Sequence, residues 1–174
     1  MERQFKYKDE LGQHMTPSAI ADMLCGQLPE NIGAAVDLSV GNGDLLAPLM
    51  KRYKALHTYG IDCDSDRLQA AEKSLGPGVV ALGDGLRKRL PNFSAQRNRR
   101  FLIIGNPPYL PAAPCKHNES LLAQAFPNTL SKHGLRRLEM AFFARALIEA
   151  KKRNGLVALI MPSAFVSGIQ YESY

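Results

Sequence analysis

Residues 34–43 read Ala-Ala-Val-Asp-Leu-Ser-Val-Gly-Asn-Gly. A short apolar run holds one carboxylate, Asp37, and ends in Gly41-Asn42-Gly43, which predicts a strand entering a tight turn. Residues 44–53 then carry Leu45, Leu46, Leu49 and Met50 on one helical face. The unit recurs: 58–62 is a strand ending in Asp62, and 66–75 is a helix. Val79-Val-Ala-Leu82 leads to Asp84 as a third strand, and Phe101-Leu-Ile-Ile104 leads to Gly105-Asn106 as a fourth. Residues 139–152, rich in Ala, Leu and Phe, form the strongest helical pattern, and 156–161 is a fifth strand stopped by Pro162. Continuously apolar strands alternating with helices predict an α/β fold, a parallel sheet covered on both faces.

Outside that core, Thr16-Pro17-Ser18 reads as a helix start, with the Thr16 hydroxyl as N-cap and Pro17 at the first helical position. Ile20, Met23, Leu24 and Leu28 continue at helical spacing until Pro29. The one long irregular stretch is 110–137, with prolines at 111, 114 and 127.

The chain has 174 residues, 45% hydrophobic and 22% charged, with net charge +6. That composition suits a folded single domain and excludes disorder, collagen and a disulfide scaffold. Cys25, Cys63 and Cys115 form no C-x-x-C pair and read as reduced thiols. His14, His57, His117 and His133 lack metal-ligand spacing, so no metal site is expected. No apolar run approaches the ~20 residues of a membrane span. The stretch Met1-Glu-Arg-Gln-Phe-Lys-Tyr-Lys8 lacks a signal-peptide core. The expectation is a cytoplasmic protein with no membrane partner.

Positive charge is clustered. Arg87, Lys88, Arg89, Arg97, Arg99 and Arg100 stand with no acidic residue among them, followed by Lys132-His133, Arg136-Arg137 and Lys151-Lys152-Arg153. These read as solvated faces or as a footprint for a polyanion.

Ligands of open parallel sheets bind beyond the carboxyl ends of the strands, where Asp37, Asp62, Asp84 and Asn106 all fall. Gly41 and Gly43 resemble half of a G-x-G-x-x-G turn, but Leu46 replaces its third glycine and Asp44 puts negative charge where a pyrophosphate would dock. A ligand with a cationic end suits this turn better. Asp62 is placed to accept hydrogen bonds from ribose hydroxyls, so the set predicts an adenosine-containing cofactor without phosphates. The alternative is that these aspartates cap the following helices.

The sharpest signal is Gly105-Asn106-Pro107-Pro108-Tyr109. Consecutive prolines fix the backbone and remove two amide donors. The Asn106 side-chain oxygen and the Pro107 carbonyl can then accept both hydrogens of a planar amino group, aiming its lone pair at an electrophile. Tyr109 offers a face for the ring that bears the amine.

With those residues the chain resembles the S-adenosylmethionine-dependent DNA adenine-N6 methyltransferases. Asn106-Pro-Pro-Tyr109 is similar to their motif IV, and Gly12-Gln-His-Met-Thr16-Pro17 to their motif X, although His14 and Met15 stand where relatives are often aromatic. Motif X precedes the turn at 37–43, then Asp62, Asp84 and motif IV, which is the γ order of type I modification subunits and many type II and IIG enzymes. Leu138-Glu-Met-Ala-Phe-Phe143 resembles motif V, and Gly155-Leu-Val-Ala-Leu-Ile-Met-Pro162 the strand after it.

The resemblance implies a Rossmann-like methyltransferase fold, divided as residues 1–33 (N-terminal segment and motif X helix) and 34–174 (a truncated catalytic domain). It implies S-adenosyl-L-methionine as cofactor, with Thr16 and Pro17 holding its methionine end and Asp37 and Gly41 lining it. Asp62 would take the ribose, Asp84 the adenine amino group, and Asn106 would border both cofactor and substrate. Asn106, Pro107, Pro108 and Tyr109 become the catalytic set for methyl transfer to an adenine flipped from double-stranded DNA. The segment 110–137 would close over that base and be mobile without DNA.

The family sheet has seven strands, so the last two and the target-recognition domain are expected to be missing here. A specificity subunit or a separate recognition domain would then read the sequence. The exposed fifth strand would need cover from a homodimer partner, another subunit or a tail. The rivals are a protein-glutamine methyltransferase of the release-factor type and a fragment that binds cofactor or a partner without turnover.

Overall fold

The computed structural model describes residues 15–93, 98–127 and 136–163. Among them, five parallel strands form one sheet: β1 (Ile32–Asp37), β2 (His57–Asp62), β3 (Val80–Leu82), β4 (Arg100–Gly105) and β5 (Leu156–Leu159). Their spatial order is β3-β2-β1-β4-β5. β1 is central and buried throughout. It pairs with β2 through Asp37 opposite Gly60, and with β4 through Asp37 opposite Ile104. The winding reverses between β1 and β4, and in such sheets the crevice for ligands opens at that reversal.

The pleat sorts side chains onto two cores. Ala34, Val36, Phe101 and Ile103 face one way, onto α5 (Leu138–Lys152) and α4 (Lys116–Ala125), where Met140, Phe142 and Leu122 meet them. Ala35, Leu102 and Ile104 face the other way, onto α1 (Ser18–Gly26), α2 (Leu46–Arg52) and α3 (Ser65–Leu75), where Ala21, Leu46, Leu49 and Ala71 meet them. Each fully buried Leu or Ile contributes about 1.5–3 kcal/mol. No helix among the described residues is long and apolar enough to cross a membrane.

The expected strands and helices all appear, with three differences. Pro17, not Thr16, occupies the N-cap of α1, where its carbonyl accepts the amides of Ile20 and Ala21. Second, the stretch 110–137 is not irregular throughout, because it contains α4. Ala112 donates to the Arg136 carbonyl and Leu138 to the Leu110 carbonyl, joined by the bridge between Pro111 and Arg137, so the excursion is pinned at its base. Third, the basic run is split: Arg87–Arg89 follow β3 at the carboxyl end of the sheet, whereas Arg99 and Arg100 enter β4 at the opposite end. Gly12, Gln13, His14, Arg97, Lys132 and His133 lie outside the described residues.

Candidate active site

The rim of the sheet carries Asp84, Asp62, Asp37 and Asn106 in that spatial order, because each closes or follows the carboxyl end of β3, β2, β1 or β4. The turn after β1 is tied to the end of β2. Asp62 accepts the Gly41 amide on Oδ2 at 2.8 Å and the Asp64 amide on Oδ1 at 3.0 Å. Each oxygen keeps a second lone pair for a ligand hydroxyl. Gly41 has φ +53°, which a bare backbone adopts readily, and its amide is thereby aimed at Asp62.

Asp37 is buried, and its Oδ1 accepts the Ser39 amide at 2.9 Å. Burial pushes its carboxyl up to about 7; the Ser39 bond opposes that shift, while Asp62 and Asp44 add to it. The Asp44 carboxyl is also raised by burial, against the pull of the Thr16 amide and the Arg67 charge. Asp37 and Asp44 about the turn after β1, with Asp62 at the end of β2, make an acidic corner.

Thr16 and Asn106, distant in sequence, meet here: the Asn106 side-chain amide donates to Thr16 Oγ1 at 3.2 Å. Tyr109 Oη lies 2.5 Å from Asn106 Oδ1 and 2.9 Å from the Ile160 carbonyl, which bridges motif IV to the end of β5. The Asn106 oxygen expected to receive a substrate amine therefore also faces the Tyr109 hydroxyl.

Two cavities adjoin along this rim. The larger, about 310 Å³, is walled by Leu38, Leu86, Pro108, Leu110, Leu138 and Phe142, with Asp62 and Asp84 on its edge. The smaller is polar and lined by Thr16, Asp37, Asp44 and Asn106 among others. Ser39, Gly41, Arg67 and Asn106 line both. The cavities thus gather Thr16, Asp37, Gly41, Asp62, Asp84, Asn106 and Pro108. Pro17, Pro107 and Tyr109 line neither: Pro17 starts α1, Pro107 is buried, and the Tyr109 hydroxyl is turned to Asn106 and β5.

An apolar chamber with two edge carboxylates beside a small acidic corner suits a ligand with a flat heterocycle, a diol and a cationic tail.

A family profile described as Eco57I restriction-modification methylase matches residues 83–174, which span Asp84, Asn106-Pro-Pro-Tyr109 and α5. The chain belongs to the Eco57I restriction-modification methylase family. It is 22% identical over 170 residues to the modification methylase CviBIII of Paramecium bursaria Chlorella virus NC1A, covering 95% of this chain and 41% of that protein. This chain therefore spans about two fifths of that relative. Its fold is similar to a putative class I S-adenosylmethionine-dependent methyltransferase of Listeria monocytogenes, at TM-score 0.69, 16% identity, 96% of this chain and 52% of that one. It is also similar to the type I restriction-modification methyltransferase subunit of Streptococcus thermophilus, at TM-score 0.65, 18% identity, 90% of this chain and 36% of that one. At these identities the likeness is one of fold, the Rossmann-like methyltransferase sheet.

In this member of the Eco57I family, the turn bearing Asp84 is held from beneath. Arg145 on α5 donates to the Leu86 carbonyl at 2.6 Å and to the Lys88 carbonyl at 3.1 Å, and His117 Nε2 on α4 donates to Leu86 at 2.9 Å. Asp84 itself accepts the Leu86 amide at 2.8 Å and pairs with Arg87 at 3.2 Å. Glu149 balances Arg145, together with Lys152 and Arg153. Burial pushes the Glu149 carboxyl up, but these three cations hold it below its ordinary value. Leu86, Arg67 and Arg145 escaped sequence reading, the first resembling ordinary core and the arginines surface charge on amphipathic helices, while Phe142 stood in the motif V stretch without an assigned role.

Proposed function

We propose that this chain is the catalytic part of an S-adenosylmethionine-dependent DNA adenine-N6 methyltransferase of a restriction-modification system, acting in the cytoplasm. The observation that carries the reading is Asn106-Pro107-Pro108 at the carboxyl end of β4, where the sheet reverses, with Asn106 bordering both cavities and Pro108 the larger. The residues present fit the cofactor: apolar walls for adenine, Asp62 for the ribose diol, Asp84 for the adenine amine, and Asp37 and Asp44 for a cationic amino-acid end. Bound there, S-adenosylmethionine supplies an electrophilic methyl group on a sulfonium.

What the chain contributes is position and polarity. Asn106 Oδ1 and the Pro107 carbonyl accept the two hydrogens of the target amine and direct its lone pair toward the cofactor side of the rim. Tyr109 stacks on the base, its ring oriented by the hydroxyl it directs at Asn106 Oδ1, beside the Ile160 carbonyl. Thr16 holds the Asn106 carboxamide from the opposite side. The walls of the larger cavity, Leu110 and Leu138, exclude water where the pinned base of the 110–137 excursion meets α5.

Duplex DNA would approach the carboxyl end of the sheet, beside Arg87, Lys88 and Arg89, with the adenine flipped at a cost of a few kcal/mol. Sequence reading is assigned to a specificity subunit or a separate recognition domain. Among the described residues β5 is an edge strand, offered to such a partner or to a second copy.

The test is incubation of the chain with S-adenosylmethionine and adenine-containing duplex DNA, followed by nucleoside analysis by mass spectrometry. N6-methyl-2′-deoxyadenosine, formed about 10²–10³-fold more slowly by N106A, is the expected product. Methylation of a glutamine-containing peptide and not of DNA would select the release-factor-type reading instead.

A further inference from the structure

We infer that Arg67 binds the carboxylate of the cofactor's amino-acid end, a role that rests on the proposed S-adenosylmethionine site. The smaller cavity is lined by Asp37 and Asp44, and Asp62 closes on it through Gly41. Such a corner welcomes an ammonium group but repels a carboxylate at a few ångströms. A cation in that wall would favour the carboxylate of a zwitterionic tail. Among the described residues lining the smaller cavity, Arg67 is the only basic one.

Its placement is specific. Arg67 sits in the first turn of α3, five residues after Asp62, and lines both cavities, so it stands at their seam. Its side chain is 21% exposed, and Nε pairs with Asp64 Oδ2 at 3.5 Å, a long contact. The Asp64 side chain caps α3 by accepting the Asp66 and Arg67 amides, which fixes the helix that carries Arg67. The guanidinium fork presents parallel N–H donors that match a carboxylate. Its charge also favours the ionised Asp44 carboxyl, which lines the same cavity.

The experiment compares two ligands and three proteins by titration calorimetry on the full chain. S-adenosylhomocysteine carries the amino-acid end; 5′-methylthioadenosine shares the adenosine and sulfur but lacks it. R67Q is expected to bind S-adenosylhomocysteine about 10- to 100-fold more weakly, the worth of one charge-assisted hydrogen-bonded pair. Its affinity for 5′-methylthioadenosine should stay within about twofold, because no carboxylate is involved. R67K keeps the charge without the fork and should fall between, with thermal unfolding confirming that both variants fold.

Equal weakening for both ligands would show that Arg67 only shapes the cavity or neutralises Asp44, and would overturn the inference. Unchanged binding of S-adenosylhomocysteine by R67Q would overturn it as well. If the unmodified chain binds neither ligand, the proposed cofactor site fails and Arg67 fails with it. Selective loss in R67Q sustains both.

Discussion

The Tyr109 hydroxyl stands 2.5 Å from the Asn106 side-chain oxygen, so the two polar members of motif IV restrain each other before any substrate arrives. One hydrogen bond orients the aromatic ring and holds the carboxamide. Y109F keeps the ring and loses the hydroxyl, which is expected to lower kcat about 2- to 10-fold, the worth of one neutral hydrogen bond. Y109A removes the stacking surface as well and should lose about 10- to 100-fold more. N106A is expected to lose about 10²–10³ in kcat while leaving cofactor affinity within a few fold. Steady-state methylation kinetics of the three variants check this ranking.

Asp37 sets the pH dependence. Its carboxyl titrates near 7, because burial and the neighbouring Asp62 and Asp44 disfavour its charge. The unfolded value is near 3.9. Between those values the folded chain holds a proton that the unfolded chain has lost, so this group's contribution to stability declines as pH rises through that window. D37N should flatten that decline. A cationic ligand favours the carboxylate, so cofactor affinity should rise from pH 6 to pH 8 with release of a proton. Calorimetry in buffers of different ionisation enthalpy measures it; binding without proton release at pH 7 would contradict this assignment.

Gly85 makes the closest approach in the site. A Cβ there would lie 1.8 Å from the Leu38 carbonyl oxygen and 3.2 Å from the Phe142 ring. Backbone cannot swing aside, so G85A should cost at least about 1–3 kcal/mol and open the wall of the larger cavity. Gly26, at the end of α1, has nothing within 4 Å, and G26A should be neutral or slightly stabilising. Thermal unfolding of the two variants separates a steric glycine from a dispensable one.

The segregation of basic residues gives a salt-dependence experiment. Lys88 and Arg89 sit at the carboxyl end of the sheet and Arg99 and Arg100 at the other. Replacing Lys88 and Arg89 by Ala should weaken DNA binding and reduce the salt slope by about 0.9 for each phosphate that is no longer neutralised. The same change at Arg99 and Arg100 should leave the slope unaltered. Electrophoretic mobility shifts at several salt concentrations supply both numbers.

The strands were legible in the sequence because a parallel sheet buried on both faces reads as apolar runs, and the first four runs carried a carboxylate or amide at or just past the carboxyl end. α4 was hidden because prolines 111, 114 and 127 bracket it and its N-cap, Cys115, offers no side-chain cap bond. Thr16 looked like an N-cap, yet the Pro17 carbonyl starts α1, which leaves the Thr16 hydroxyl outside the helix and against Asn106. Arg67 and Arg145 were invisible for a different reason. Only the topology brings α3 to the turn after β1 and α5 beneath the turn after β3.

The most direct measurement is the crystal structure of the 174-residue chain with S-adenosylhomocysteine. The adenosine is expected in the chamber walled by Leu38, Leu86 and Phe142, its ribose hydroxyls on Asp62, and its amino-acid end between Asp37, Asp44 and Thr16 with the sulfur facing Asn106. Density for the ligand anywhere else, or a rim that stays empty at saturating ligand, would contradict the assignment of this sheet edge as the methyl-transfer site.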